Sequence, residues 1–380
     1  MATFEAQSES EMRSALGSAS SGDTVLVSEG VTVDGTDRFT VPAGVRLASN
    51  LDTGGQGALI EFDGAVFDDD APTLEANASV EGFRIYGPND FPTDSEYSDA
   101  SSDALNIAGD GARVEYCEVA GFGHRALRVT GDGVSIRHCF IHDVAGDGYG
   151  YGVGFEGGAQ DGLIEYCRFE FNRHSIATNG ACTWVARYNW VGERHDTGNH
   201  AFDCHEQGDY ITVHNNSFLH NGDSAPGECL RIRGGNSSNI TFEDNWVATT
   251  DDCGVPESDE SCAVSDDAGA GDWAISGNHF DDSAPPTGVG VTQAETGIMS
   301  DDSGQGSNGD GDQGGDMATV PSDRPGSTNV DLSGQISPGD DITDEIQSAM
   351  DDDTRVFVPG GSYQASFSDC LDFNLDNATL

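Results

Sequence analysis

A six-residue pattern recurs along this chain and constrains its fold more than any other feature. It consists of an aliphatic or small residue, two variable residues, Cys or Asn, one variable residue, then an apolar one. It reads Val114-Glu-Tyr-Cys117-Glu-Val119, Ile136-Arg-His-Cys139-Phe-Ile141 and Ile164-Glu-Tyr-Cys167-Arg-Phe169. It continues as Ala186-Arg-Tyr-Asn189-Trp-Val191, Val213-His-Asn-Asn216-Ser-Phe218, Phe242-Glu-Asp-Asn245-Trp-Val247 and Ile275-Ser-Gly-Asn278-His-Phe280. A weaker early copy is Val80-Glu-Gly-Phe83-Arg-Ile85. The steps between Cys/Asn positions are 22, 28, 22, 27, 29 and 33 residues.

A second motif falls between successive copies: Ala126-Leu-Arg-Val129, Gly152-Val-Gly-Phe155, Ser175-Ile-Ala-Thr178, Ala201-Phe-Asp-Cys204 and Cys229-Leu-Arg-Ile232. Each is a short period-2 segment bounded by Gly, Asn or Asp, as strands are. Two or three short strands per repeat, with no helix-length segment between them, predict a solenoid of stacked coils. The expected fold is all-β, a right-handed parallel β-helix. Its coils rise by the inter-strand spacing of ~4.8 Å. Equivalent side chains then form ladders. Buried Asn side chains can hydrogen-bond to the coils above and below, and Cys is a small apolar substitute at the same place. Cys117, Cys139 and Cys167 are therefore expected as ladder residues, not metal ligands.

Over roughly residues 20–285 the pattern resembles the pectate-lyase-like superfamily of right-handed β-helices. Gly22-Asp-Thr-Val-Leu-Val27 and Phe39-Thr-Val-Pro-Ala-Gly-Val-Arg-Leu47 look like first coils of such proteins. Before them, Ser8-Glu-Ser-Glu11 is a capping box opening a short helix through Leu16, placed to plug the open end of the first coil. The superfamily hosts lyases, hydrolases, viral tailspikes and silent binders, so the resemblance implies fold and not chemistry.

Charge narrows the setting. The 380 residues include 67 Asp or Glu and 16 basic residues, for a net charge of −51; every basic residue is Arg. Such a chain self-repels in dilute salt. It suits an environment where salt shortens the Debye length to ~3 Å at 1 M. A salt-in halophilic archaeon, or its tailed virus, is the expected source. Clustered cations for phosphate contacts are lacking, which argues against nucleic acid as a partner. No apolar run approaches the ~18 residues of a spanning helix.

Aligning the second motif yields outward columns. One holds Arg128, Gly154, Ala177, Asp203 and Arg231; another Thr130, Glu156, Asn179, His205 and Arg233; a third Arg125, Tyr151, His174, His200 and Glu228. The candidate ligand-binding patch is His174, His200, Asp203, His205, Arg231, Arg233 and Glu156, with Glu206 beside it. Three readings stay open at this level: a solvated face, a glycan-binding groove, or an active site. As an active site it would be a lyase, with His200 or His205 as base and Arg231 and Arg233 clamping a uronate carboxylate. A hydrolase would need two carboxylates at a set distance, and Asp203 with Glu156 fits marginally. Trp184, Trp190, Trp246 and Trp273 are read as core, with sugar-stacking platforms as the alternative. No metal site is assigned and no cofactor is expected; the acidic runs leave room for Ca2+ or other cations, without an EF-hand spacing.

Composition divides the chain into a β-helix over 1–288, a Gly/Asp/Ser-rich acidic linker over 289–328 and the beginning of a second β-helix-like module over 329–380. The last is expected to be incomplete or completed by a partner. Glu345-Ile-Gln-Ser-Ala-Met350 echoes Glu11-Met-Arg-Ser-Ala-Leu16. Met1 is followed by no signal peptide. Nine Cys leave at least one unpaired, and Cys253 with Cys262 could bridge a polar loop. The functional expectation is a virion surface appendage (tail, spike or capsid-decorating protein) of a halophilic virus. It would sit on the virion surface, or outside the cell in high salt. It would recognise host-surface polysaccharide or glycoprotein beside other virion proteins, as a homo-oligomer. The alternative is a polysaccharide lyase or glycoside hydrolase acting on an anionic polysaccharide.

Overall fold

The computed structural model describes residues 1–51, 55–89, 91, 102–146, 148–193, 200–205, 208–219, 228–233, 239–248, 264–266, 273–280, 285, 289–296, 329–331 and 355–357. The chain divides into two units, Met1–Val320 and Pro321–Leu380. In the second, Asn329–Asp331 pairs in parallel with Arg355–Phe357. Glu206, Cys253, Cys262, the 300–315 tract and the 345–350 echo lie outside the described residues.

The first unit is the all-β solenoid that the repeats imply. Three parallel sheets of 11, 10 and 9 strands run its length, and the chain visits them in turn. A typical coil runs Arg113–Glu115 in the first sheet, Glu118–Phe122 in the second and Arg125–Val129 in the third. It then returns to the first sheet at Ser135–Arg137. Strand pairing stacks like on like. One inward ladder reads Val80, Val114, Ile136, Ile164, Ala186, Val213 and Phe242. These side chains are buried, each apolar one contributing roughly 1.5–3 kcal/mol relative to exposure. Trp184 and Trp246 are buried, Trp184 between Phe155 and Phe202. Trp190 and Trp273 are half-buried. The core reading of the tryptophans fits this placement better than that of open platforms.

The repeating Cys/Asn position explains how each coil turns from the first sheet to the second. The residue before it is left-handed in every copy: Gly82, Tyr116, His138, Tyr166, Tyr188, Asn215, Asp244 and Gly277, with φ between 49° and 71°. Such a backbone costs a side-chain-bearing residue roughly 1–2 kcal/mol. Two features offset it. Asn189, Asn216, Asn245 and Asn278 form a continuous ladder, the first three buried and Asn278 half-buried at its upper end. Each carboxamide oxygen accepts from the backbone N–H of the ladder residue below, and each amide donates to a first-sheet carbonyl of the coil below, at 2.8–3.0 Å. Cys139 and Cys167 fill the same place lower down with weak Sγ contacts to Val114 and Ile136 carbonyls. The left-handed residues also stack. Tyr116 lies on His138 at 4.8 Å, His138 on Tyr166 at 5.2 Å and Tyr166 on Tyr188 at 5.2 Å, all within 9° of parallel.

The helix Glu9–Leu16 closes the first end, with Met12, Ala15 and Leu16 turned inward. Ser8 accepts from the Glu11 N–H, while the Glu11 carboxylate reaches back to the Gln7 N–H at 2.7 Å, one residue earlier than a standard capping box.

Residues 289–296 fall within the stretch that composition assigns to a linker, yet they lie on the outer face of the second sheet. The Gly290 N–H donates to Asp244 O at 3.0 Å, and the Val291 N–H donates to Ser217 Oγ at 2.7 Å. His138 Nδ1 meets Thr296 O at 3.0 Å. Gly290 allows the approach: a Cβ there would stand 2.6 Å from Ser217 Oγ.

Candidate functional site

The candidate residues sit on the third sheet, whose register aligns the outward columns. Arg125 pairs with Tyr151, Tyr151 with His174, and His200 with Glu228. Arg128, Gly154, Ala177, Asp203 and Arg231 form the neighbouring column. In the strand His200–Cys204, Ala201, Phe202 and Cys204 all enter the core, so alternation breaks between Ala201 and Phe202 and His200 lies on the same side as Asp203, 3.0 Å from it. The stack places His174 directly below His200.

The columns point away from the core, but they are not a solvated face. His174 and Asp203 are fully buried and His200 is 3% exposed. Exposure begins at the rim, with His205 at 26% and Arg233 at 33% of their side-chain surface. Of the three readings, the solvated face fits least: among the described residues the middle of the patch is a buried polar cluster, with His205 and Arg233 at its rim.

Asp203 is its hub. Arg233 grips it with two hydrogen bonds, Nε to Oδ1 at 2.8 Å and Nη2 to Oδ2. His205 Nε2 contacts the same Oδ2, His200 Nε2 lies 3.0 Å from it and His174 Nε2 3.7 Å. Burial alone would push the Asp203 carboxyl up. The contacts with His200 and His205, and the positive charge around them, outweigh it and hold the carboxyl well below the usual carboxylate range.

The two inner histidines shift the same way. Burial pushes His174 well below the usual histidine value, and the neighbouring His200 lowers it further. Burial also lowers His200, partly offset by Asp203. Both imidazoles are thus neutral near pH 7. The hydrogen bonds fix the His174 tautomer: Nδ1–H donates to the His200 carbonyl at 2.9 Å, and Nε2 accepts from Arg173 Nη1 at 2.9 Å. The rings of His174 and His200 stack at 4.1 Å and 11°, with Tyr151 on the far side of His174 at 5.6 Å. Neither ring nitrogen of His200 makes a well-formed hydrogen bond, although Glu228 Oε2 stands 3.5 Å from Nδ1.

Arg231 meets this cluster through Glu228, whose Oε2 also stands 3.5 Å from His200 Nδ1, and Glu156 stands apart from it. Arg231 lies over Asp203 in register but pairs with Glu228 at 3.3 Å. Glu156 belongs to a second network lower on the same columns. It accepts from Arg125 Nη1 and, at 3.1 Å, from Arg128 Nε. Arg125 also holds buried Asp103 through Nε at 3.0 Å and Nη2 at 2.8 Å, and Arg128 reaches Asp69 at 3.1 Å. Gly154 makes room for this reach, since a Cβ there would stand 2.8 Å from Arg125 Cδ. Grouping Glu156 with the histidines is therefore corrected: column position brings it near, but the long arginine side chains claim it.

Two members of the cluster escape the motif alignment. Arg173 precedes the His174 column by one residue, and Tyr149, 45% exposed, offers its carbonyl to Arg173 Nη1 at 3.3 Å. Their only sequence signal is adjacency to the column. Among the described residues, no helix is long and apolar enough to cross a membrane.

Three ladders of parallel strands, the Asn/Cys turn and an outward polar cluster define a right-handed parallel β-helix. The family model described as "Right handed beta helix region" matches residues 81–255. Among solved structures, the alginate lyase from Paenibacillus sp. str. FPU-7 is similar with a TM-score of 0.52 at 16% identity, covering 74% of this chain and 98% of that one. Pectate lyase Pel9A aligns with a TM-score of 0.47 at 12% identity over 74% of this chain and 76% of its own. The Dettilon tailspike protein gives 0.39 at 13% identity over 63% of this chain and 50% of its own. The first of these supports the fold alone. No curated protein matches the sequence.

Proposed function

We propose that this β-helix is a glycan-recognition module working in high salt, carried as a surface appendage of a halophilic virus and directed at host-surface polysaccharide or glycoprotein. The observation that carries the glycan reading is the half-exposed pair His205 and Arg233 above buried Asp203. Asp203 holds the Arg233 fork in place and His205 Nε2 meets its Nη2 at 2.7 Å, so a partly exposed guanidinium is presented at low entropic cost, as a sugar hydroxyl or carboxylate requires. The fold supplies a rigid, register-locked platform. The net charge of −51 supports the high-salt setting, because an anionic glycan could approach only where that field is screened.

A second reading is favoured by one observation. Neutral His174 and His200 lie beside the Tyr151 ring and near Arg173 and Arg233, an inventory of base, hydroxyl and cation. β-Elimination on a uronate draws on these three: a base for the α-proton, an acid for the leaving oxygen and a cation for the carboxylate. Alginate, on which the Paenibacillus enzyme acts, is the natural first probe.

The test mixes the protein, in about 2–3 M salt to screen its charge, with alginate, polygalacturonate and halophilic cell-surface glycoprotein. Pull-down, unsaturated-uronate absorbance and reducing ends are read together. Binding without turnover, lost in Arg233→Ala with His205→Ala, is the expected result. Turnover would replace recognition by the lyase reading, and no binding to any glycan would sink both.

A further inference from the structure

We infer that His174, His200 and Asp203 form a binding site for one divalent first-row transition-metal ion, zinc or a chemical neighbour of it. One ligand atom from each of the three lies within 4.8 Å of the others. A tetrahedral ion with bonds of about 2.0–2.1 Å needs donors roughly 3.3 Å apart. The distances from Asp203 Oδ2 to His200 Nε2 and His174 Nε2, 3.0 and 3.7 Å, bracket that value. The two stacked rings would tilt to converge, which closes the remaining gap. His205, whose Nε2 also touches Asp203 Oδ2 from the mouth, stands where a fourth ligand would enter.

Two observations point to a ligand beyond proximity. The first is His200 itself: its ring is 3% exposed and stands between two carboxylates, Nε2 3.0 Å from Asp203 Oδ2 and Nδ1 3.5 Å from Glu228 Oε2, with neither approach in good hydrogen-bond geometry. A buried imidazole held so poorly between two acceptors calls for an explanation. The second is the orientation of His174. Its Nδ1–H is tied to the His200 carbonyl at 2.9 Å, which leaves the Nε2 lone pair toward Asp203. Metal-binding histidines are oriented this way, with the other ring nitrogen donating to a backbone carbonyl or carboxylate. Imidazole donors select zinc, nickel, cobalt or copper over the oxygen-seeking Ca2+ and Mg2+.

Two guanidinium groups now serve these lone pairs. Arg233 holds Asp203, and Arg173 Nη1 donates to His174 Nε2. Both are cations standing where a metal would stand, and Arg233, 33% exposed, has a route outward. An incoming ion would displace them. Arg233 is thus a competitor of the metal, whereas in the glycan reading it is a contact. The metal site rests on geometry alone and does not need that reading.

Co2+ titration of the whole protein in high salt, with excess Mg2+ to occupy the acidic surface, tests this directly. Visible d–d absorption reports inner-sphere histidine ligation and needs no activity. One Co2+ per chain should develop the band, and Zn2+ should bleach it. His200→Gln and Asp203→Asn should abolish it, while Asp69→Asn, on an exposed residue, leaves it intact. Arg233→Ala keeps every ligand and removes a charge beside the ion, so Co2+ should bind about tenfold tighter. Circular dichroism establishes which variants fold. Should a ligand variant unfold, Arg233→Ala still decides. Absence of the band in both wild type and Arg233→Ala would overturn the site, as would a band that survives in folded His200→Gln.

Discussion

Two networks occupy the same outward columns of one sheet, and they differ in the cation at their centre. In the lower network, Arg125 and Arg128 bind Asp103, Asp69 and Glu156. In the upper one, the Arg125 column holds His174 and His200, and Asp203 takes a position equivalent to Arg128. Gly154 and Ala177 separate them. An arginine is charged at every relevant pH and donates only, so the lower network is held mainly by arginine–carboxylate pairs, with His124 beside Asp103 at 3.0 Å. Histidine can be neutral and can accept, so the upper cluster keeps lone pairs. Identical backbone scaffolding thus yields a staple in one place and a candidate site in the other.

The sharpest way to break this comparison is to remove one arginine from each. Arg125→Ala strips the buried Asp103 carboxylate of a partner that is itself only 3% exposed. Breaking such a pair costs about 3–5 kcal/mol. Arg233→Ala should cost less, roughly 1–2 kcal/mol, because a third of its side chain is already in water and Asp203 can recruit a proton onto His200 or His205. Thermal melts in high salt, followed through buried Trp184, rank the two. Equal losses would mean that the histidines offer Asp203 no compensation.

Acid should separate the two networks next. His174 and His200 have folded pKa values below the unfolded ~6.5. Their neutral burial contributes stability that is complete above ~6.5 and declines as pH falls below it, since the unfolded chain then binds more protons. Asp103 is depressed, its burial being outweighed by His124 and Arg125, so its contribution persists until pH falls below the unfolded ~3.9. Hydrogen exchange at about pH 5 should loosen His174–Thr178 and His200–Cys204 while Asp103–Ile107 and Arg125–Val129 stay protected. Alkali acts elsewhere. His142, buried between Asp143 and Glu118, is raised to about 9 despite its burial. Its contribution is full below ~6.5 and lost as pH rises through 9. Uniform loosening of all coils at pH 5 would contradict the contrast.

What the sequence makes legible follows from what is periodic. The Cys/Asn ladder, the three strands per coil and the register of Arg125, Tyr151, His174 and His200 all recur at coil spacing, and alignment alone recovers them. The left-handed residue before each ladder residue was not read from the motif, because Tyr116, Tyr166 and Tyr188 are not residue types that favour a positive φ. Burial of Asp203 was illegible because alternation tells which way a side chain points, not what covers it. The polar packing of Val291 on Ser217, and of Thr296 near His138, repeats nowhere, so composition described those residues as a linker. Glu156 was misplaced for a third reason: reach. Column spacing measures backbone, and Arg125 spans 31 residues of sequence to take the carboxylate.

That misplacement supplies the smallest and most discriminating change. Glu156→Gln keeps the shape and an acceptor for Arg125 but removes the charge. The carboxylate is 21% exposed, and Arg125 retains Asp103 and Asp68, so the cost should be about 0.5–1 kcal/mol. Glycan retention and the Co2+ band should not change at all, because no contact joins Glu156 to Asp203, His200 or His205 among the described residues. A melt with calorimetry reads the first quantity, and the pull-down and absorption titrations read the others. Loss of glycan binding in a variant this mild would join the two networks into one functional surface, and the arginines below would then belong to the site they now only border.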